Sequence, residues 1–174
     1  MRKPIAVLAG AVLIVAGGYL AALAAPAPVT VRLESRSGSQ VSGTLTLTEP
    51  VEGQVKLSGE LGGHTSGPKG FHIHEKGDCS APDAMSAGGH FNPDGHKHGG
   101  PAGNERHAGD LGNLVFDSNG KAKVEITVQG VTLQPGKPNS LLGRSILVHA
   151  QIDDLVTDPS GNSGARVACG VIQL

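Results

Sequence analysis

The chain has 174 residues, 14 basic and 15 acidic side chains and a formal net charge of −1. That length predicts one domain, and the near-neutral charge excludes the basic face of a nucleic-acid binder. Two cysteines are too few for a disulfide scaffold but enough for one staple.

Arg2 and Lys3 precede an uncharged run from Ile5 to Ala25, and Ala22-Leu23-Ala24 offers a small-x-small cleavage site. This is the layout of a secretory signal peptide. Left uncleaved, the 21 uncharged residues would just span a bilayer. Residues 1–25 are therefore read as a signal peptide or a membrane anchor acting through residues 5–25. Residues 26–174 are read as an exported domain of the periplasm or cell envelope, where a disulfide is permitted. Without the first 25 residues the chain keeps 12 basic and 15 acidic side chains, a net charge of −3.

Beyond the Ala/Pro linker, Val29 to Glu34 alternates apolar and polar residues, as a half-buried strand does. Val41 to Thr48 alternates again and is expected to end at Glu49-Pro50; Gln54 to Leu61 follows the same rule. Gly62 to Gly70 reads as a loop and Phe71 to His74 as a fourth strand. Leu114 to Phe116, Ala122 to Val128, Ser145 to Ile152 and Arg166 to Ile172 complete the set. No segment has a convincing helical period. With 27 glycines, no tryptophan and 2% aromatic residues, eight short strands with Gly-rich connections predict an all-β, antiparallel sandwich or barrel with a Val/Leu/Ile/Ala core.

One stretch departs from this pattern. Gly77 to Gly109 spans 33 residues with eight glycines and four of the eight histidines. Loops of this length are uncommon in compact domains. A metal and a disulfide would offset the entropy of ordering it.

His72 and His74 are expected on one face of a strand, with Phe71 and Ile73 on the other. Two adjacent imidazoles would repel if protonated, so a shared cation is the natural occupant. His90, His98 and His107 follow, then Asp110, and His149 lies on a late strand. Six histidines and a carboxylate exceed the four positions of one tetrahedral zinc. Two metals sharing a ligand, or one metal with spectator histidines, both fit the count.

Six blocks in order resemble the copper/zinc superoxide dismutase family: Phe71 to Asp78, Gly88 to Pro93, Lys97 to Pro101, Arg106 to Asn113, Gly143 to His149 and Gly161 to Gly170. The resemblance runs from about Val29 to Leu174. It implies an eight-stranded Greek-key β-sandwich or barrel with a long metal-binding loop. It also implies copper held by His72, His74, His90 and His149, and zinc held by His90, His98, His107 and Asp110, with His90 bridging. Asp153 matches the carboxylate that hydrogen-bonds one histidine of each metal, a role that fixes the far N–H of a ligand. Arg166 matches the arginine of the copper channel, and Cys79 and Cys169 match the disulfide pair. The implied activity is dismutation of superoxide to oxygen and hydrogen peroxide, with His90 and Arg166 as catalytic groups.

Imidazoles suit copper in both oxidation states, and three imidazoles with a carboxylate suit zinc. A non-catalytic copper/zinc-binding protein of the same fold is the alternative. A zinc hydrolase would need an open zinc position, which the Asp110 set does not leave. Superoxide is the expected substrate, no nucleic acid is expected, and an oligomer is compatible with the reading. His64 and His96 match no family role and are expected to be solvated; Arg106 and Lys97 are expected to be surface charges and Arg144 structural. Lys69 stands where many relatives carry another histidine. The Asp154–Arg166 segment is shorter than in many relatives and lacks their steering charges.

Overall fold

The computed structural model describes residues 26–103 and 105–174. The signal-or-anchor reading of residues 1–25 lies outside the described residues. Among the described residues no helix is long and apolar enough to cross a membrane.

Eight strands follow in chain order: β1 (Val29–Ser35), β2 (Ser42–Val51), β3 (Gln54–Gly62), β4 (Gly67–His74), β5 (Asp110–Phe116), β6 (Lys121–Gln129), β7 (Ser145–His149) and β8 (Arg166–Val171). They form one antiparallel sheet in the order β5-β4-β7-β8-β1-β2-β3-β6, and the two end strands meet to nearly close a barrel. Sequential strands β3 and β4 are thus far apart in the sheet, as are β6 and β7, which is the Greek-key path. The only helical turn among the described residues is 3-10, at Met85–Ala87.

Alternation puts Val29, Val31 and Leu33 of β1, Leu45 and Leu47 of β2 and Val55 and Leu57 of β3 into one apolar core. Phe71 and Ile73 of β4 and Ile146 and Val148 of β7 close it from the opposite side. Burying a side chain of this size stabilises by about 1.5–3 kcal/mol.

Three local expectations are corrected. First, β2 runs through Pro50 to Val51, because the register shifts between Thr48 and Val51 and a bulge there frees Pro50 from donating to a ladder. Secondly, β4 begins at Gly67 rather than Phe71. Its first half pairs with β5 from Gly67↔Phe116, while β7 is paired only from Phe71 onward, so Pro68 fits where the ladder is one-sided. Thirdly, β7 ends at His149 rather than Ile152, where its register with β8 shifts; Ser145 to His149 are buried throughout, as are Phe71 to His74 of β4.

The bulge turns Glu49 inward, where it is 4% exposed. Its carboxylate accepts the backbone N–H of Gly53 at 3.0 Å and of Leu133 at 2.8 Å, and the Thr132 hydroxyl at 2.8 Å. Cys79 and Cys169 form the disulfide, with Cα atoms 5.8 Å apart and a sequence separation of 90. A loop of that length corresponds to about 4–5 kcal/mol of chain entropy removed from the unfolded state.

Burial alone would raise the Glu49 pKa, but the donors from Leu133, Gly53 and Thr132 outweigh it and hold it below the ordinary 4.5. A lowered folded-state pKa means the contribution is complete above about pH 4.5 and is lost as pH falls through the folded value. Glu49→Ala is expected to cost about 2–3 kcal/mol at pH 7. The gap to wild type should narrow at acid pH. Urea unfolding at both pH values checks this, and a pH-independent gap would contradict it.

Candidate metal centre

His72 and His74 sit on β4 and His149 ends β7, and the register Phe71↔Val148 and His72↔Leu147 brings the three rings together. The 77–109 segment is laid against β4 by backbone bonds. Phe91 N–H donates to Ile73 O at 2.8 Å, Ile73 N–H to Gly109 O at 2.9 Å and Glu75 N–H to Gly89 O at 2.9 Å. His90 thereby faces His74 as an isolated bridge partner. The expected pinning by a disulfide is thus joined by a backbone seam.

Two groups of ligating atoms result, each within 4.8 Å: His72, His74, His90 and His149, and His90, His98, His107 and Asp110. All seven residues are buried, and His90 belongs to both groups. Every histidine expected at a metal is in one of them.

Hydrogen bonds decide which ring nitrogen each residue can offer. His72 Nε2 donates to Asp153 Oδ2 at 2.7 Å, and His98 Nε2 to Asp153 Oδ1 at 2.9 Å. The opposite nitrogens, Nδ1 of His72 and Nδ1 of His98, are buried without a hydrogen-bond partner, as is His90 Nε2. His74 Nδ1 donates to Gly88 O at 3.0 Å, leaving its Nε2 3.4 Å from His149 Nε2. In the second group Asp110 Oδ1 lies 2.7 Å from His90 Nδ1, 3.0 Å from His98 Nδ1 and 3.2 Å from His107 Nδ1. Asp110 Oδ2 accepts the N–H of Gly99 at 3.0 Å and of His107 at 2.9 Å. Buried, unpartnered nitrogens within each ligand group are what a cation would satisfy.

The electrostatics favour the neutral form of His74, His90 and His149. Burial, with the neighbouring rings His90 and His149, pushes His74 well below its ordinary value. Burial lowers His90 to about 4 against the opposing Asp110, and burial with His72 lowers His149 to about 3. These rings are neutral at pH 7, as a metal requires. His98 is raised: burial would lower it, but Asp153 and Asp110 outweigh that. Asp153 is lowered, since its bonds from His72 and His98 overcome burial.

The 41–172 segment matches the family model described as copper/zinc superoxide dismutase. The chain belongs to the copper/zinc superoxide dismutase family. A solved structure similar to it is that of the clock protein EA4, at 36% identity and a TM-score of 0.76, covering 87% of this chain and 97% of that chain.

Arg166 is half-buried and donates to Ala84 O at 2.8 Å and Gly88 O at 2.7 Å. It therefore shares the Gly88 carbonyl with His74. His96 and Lys97 are exposed as expected. Two solvated readings are corrected. His64 is half-buried, its ring 5.0 Å from Phe116 and its Nε2 3.1 Å from the carbonyl of His149. Arg106 is also half-buried and donates to His107 O at 2.8 Å, bracing the metal loop. Arg144 is structural as expected, its guanidinium 4.4 Å from the Phe91 ring centre.

Two residues that support the site went unassigned in the sequence. Asn113 exchanges bonds with the Asp153 backbone, Nδ2 to O at 2.9 Å and Oδ1 from N at 2.8 Å. Asp158 Oδ1 accepts the His98 N–H at 2.6 Å. The only available signal was Asn113's position on the Asp110 strand, three residues on.

Gly161 has φ +60, and a Cβ there would run into Asp153 Oδ1 with His98 Nε2 at 2.8 Å. Gly161→Ala should displace the oxygen that holds His98. Metal affinity of the His90–His98–His107–Asp110 group is expected to fall about 10–100-fold, read by chelator competition. Unchanged affinity would contradict this contact.

Proposed function

We propose that the chain is an exported copper/zinc superoxide dismutase. Copper would be held by His72, His74, His90 and His149, and zinc by His90, His98, His107 and Asp110. The observation that carries the reading is the shared His90, with its Nδ1 on the carboxylate group and its unpartnered Nε2 on the all-imidazole group. Four imidazoles suit a redox copper, and three with a carboxylate suit zinc. A copper ion bound there supplies the one-electron chemistry by which two superoxide ions and two protons become oxygen and hydrogen peroxide.

The protein's own groups bind and protonate. With Nδ1, 2.7 Å from Asp110, given to the zinc of the carboxylate group, Nε2 would be the His90 nitrogen left to take a proton. That places the proton where the anion docks. Arg166, anchored on two carbonyls, presents its remaining donors and a fixed positive charge. The segment after His149 adds no competing cation: Asp153 to Ala165 contains none. Its carboxylates are tied up, Asp154 by the Thr157 and Val156 N–H groups at 2.8 and 3.0 Å and Asp158 by His98. Residues 1–25 as a signal peptide or anchor, with the Cys79–Cys169 disulfide, support placement in the periplasm or cell envelope. Superoxide is the partner in this reading, nucleic acid is not, and membrane attachment would run through residues 5–25. Assembly into an oligomer is compatible with it.

One observation favours a second reading, a non-catalytic copper/zinc-binding protein: a similar solved structure is described as a clock protein, a name that carries no activity. Superoxide consumption before and after copper removal separates the two. Copper-depleted protein should be inactive and copper should restore it; full activity with zinc alone would sink the redox reading. His149→Ala should lose copper while keeping zinc, and His107→Ala should loosen zinc first. Equal loss of both metals in both variants would contradict the division of ligands.

Arg166→Ala should keep both metals, slow the reaction roughly 10-fold at low ionic strength and flatten its salt dependence. Arg166→Lys should be intermediate, having charge without the fork. An unchanged rate and salt profile in Arg166→Ala would remove Arg166 from the mechanism.

A further inference from the structure

We propose that Ser163 is a positioning residue for His149, its hydroxyl oxygen accepting the Nδ1–H of that ring and so aiming the Nε2 lone pair offered to copper. This rests on the copper reading of the all-imidazole group.

Ser163 is completely buried, with its Oγ 3.0 Å from His149 Nδ1 and 2.8 Å from the Ser160 carbonyl. The direction of each bond follows from its partners. A carbonyl only accepts, so the single hydroxyl hydrogen goes to Ser160 O, leaving an oxygen lone pair toward His149. Gly164 O, 3.2 Å from the same Nδ1, likewise only accepts. Nδ1 must therefore carry the ring hydrogen, shared between Ser163 and Gly164, and Nε2 is bare. Nε2 in turn lies 3.4 Å from the bare Nε2 of His74. Two nitrogen lone pairs converging at that distance need a cation between them.

His72 has a carboxylate behind its ring, Asp153 at 2.7 Å. His149 has none; the serine oxygen is its shorter contact, and an acceptor there raises ligand basicity as a carboxylate does, more weakly. Room for it comes from the facing strand. Gly70 has no side chain, and a Cβ there would come within 2.7 Å of the Ser163 Cβ and 3.4 Å of the His149 Cβ. Ser163 is held in place by its own backbone, its carbonyl accepting the Gln151 N–H at 2.9 Å.

The test compares wild type with Ser163→Ala and Ser163→Gly, which remove the oxygen with and without a side chain filling its place. Copper affinity is measured by chelator competition, the copper(II) site by electron paramagnetic resonance, and zinc content alongside. Expected for both variants are full zinc, copper bound about 10-fold more weakly and an altered copper(II) spectrum. Wild-type affinity and spectrum in both variants would overturn the proposal. So would parallel loss of zinc and copper, which would mark Ser163 as a packing residue. The underlying reading fails separately: a wild-type chain without copper affinity defeats the proposed function before any variant is compared.

Discussion

Asp153 contacts His72 through one oxygen and His98 through the other, and most of the centre's geometry depends on that bridge. It commits the Nε2–H of both rings, so only Nδ1 can face inward in each case. It also forces the segment after β7 to fold back over the imidazoles, because the carboxylate is completely buried on that segment. Asn113 fixes its backbone from β5, and Leu155 N–H donates to Oδ1 at 2.7 Å. The close approach of Gly161 leaves the carboxylate little room to move away from His98. A single side chain thus couples the two ligand groups, the tautomers within them and the covering loop.

The barrel supplies what that bridge cannot, a rigid base. A 33-residue, glycine-rich segment costs much conformational entropy to order. Three independent restraints share the cost: the disulfide to β8, the backbone seam to β4 and the Asp110 carboxylate, which ties His107 and Gly99 to the first residue of β5. Each restraint ends on a strand whose other side is packed into the apolar core. Loop order and barrel stability are therefore not separable.

What the sequence made legible follows from period and length. His72 and His74 could be placed together because a strand repeats every two residues, and the four-histidine loop stood out against the strand pattern. The β2 end was misread because Pro50 usually stops a strand; a bulge, invisible in one sequence, let it continue and turned Glu49 inward. His64 and Arg106 looked solvated because Gly-rich loops usually are. Their contacts depend on which carbonyl the fold presents, the His149 O for one and the His107 O for the other. Ser163 and Asn113 are small polar residues of ordinary kinds, and only the register of distant strands gives them partners.

In the proposed enzyme, the same long-range placement joins the substrate charge to the metal geometry. Net charge without the first 25 residues is −3, so attraction of a small anion has to be local. Arg166 lies at the start of β8, three residues before the disulfide cysteine, and both carbonyls it grips belong to the covering loop. One of them, Gly88 O, also receives the His74 Nδ1–H. A displacement of Gly88 would therefore shift the guanidinium and rotate a proposed copper ligand together. The disulfide, which holds this loop against β8, acts on both at once. In the proposed enzyme, the field that draws the anion in and the ring that faces it are parts of one rigid hydrogen-bonded unit rather than separately tuned features.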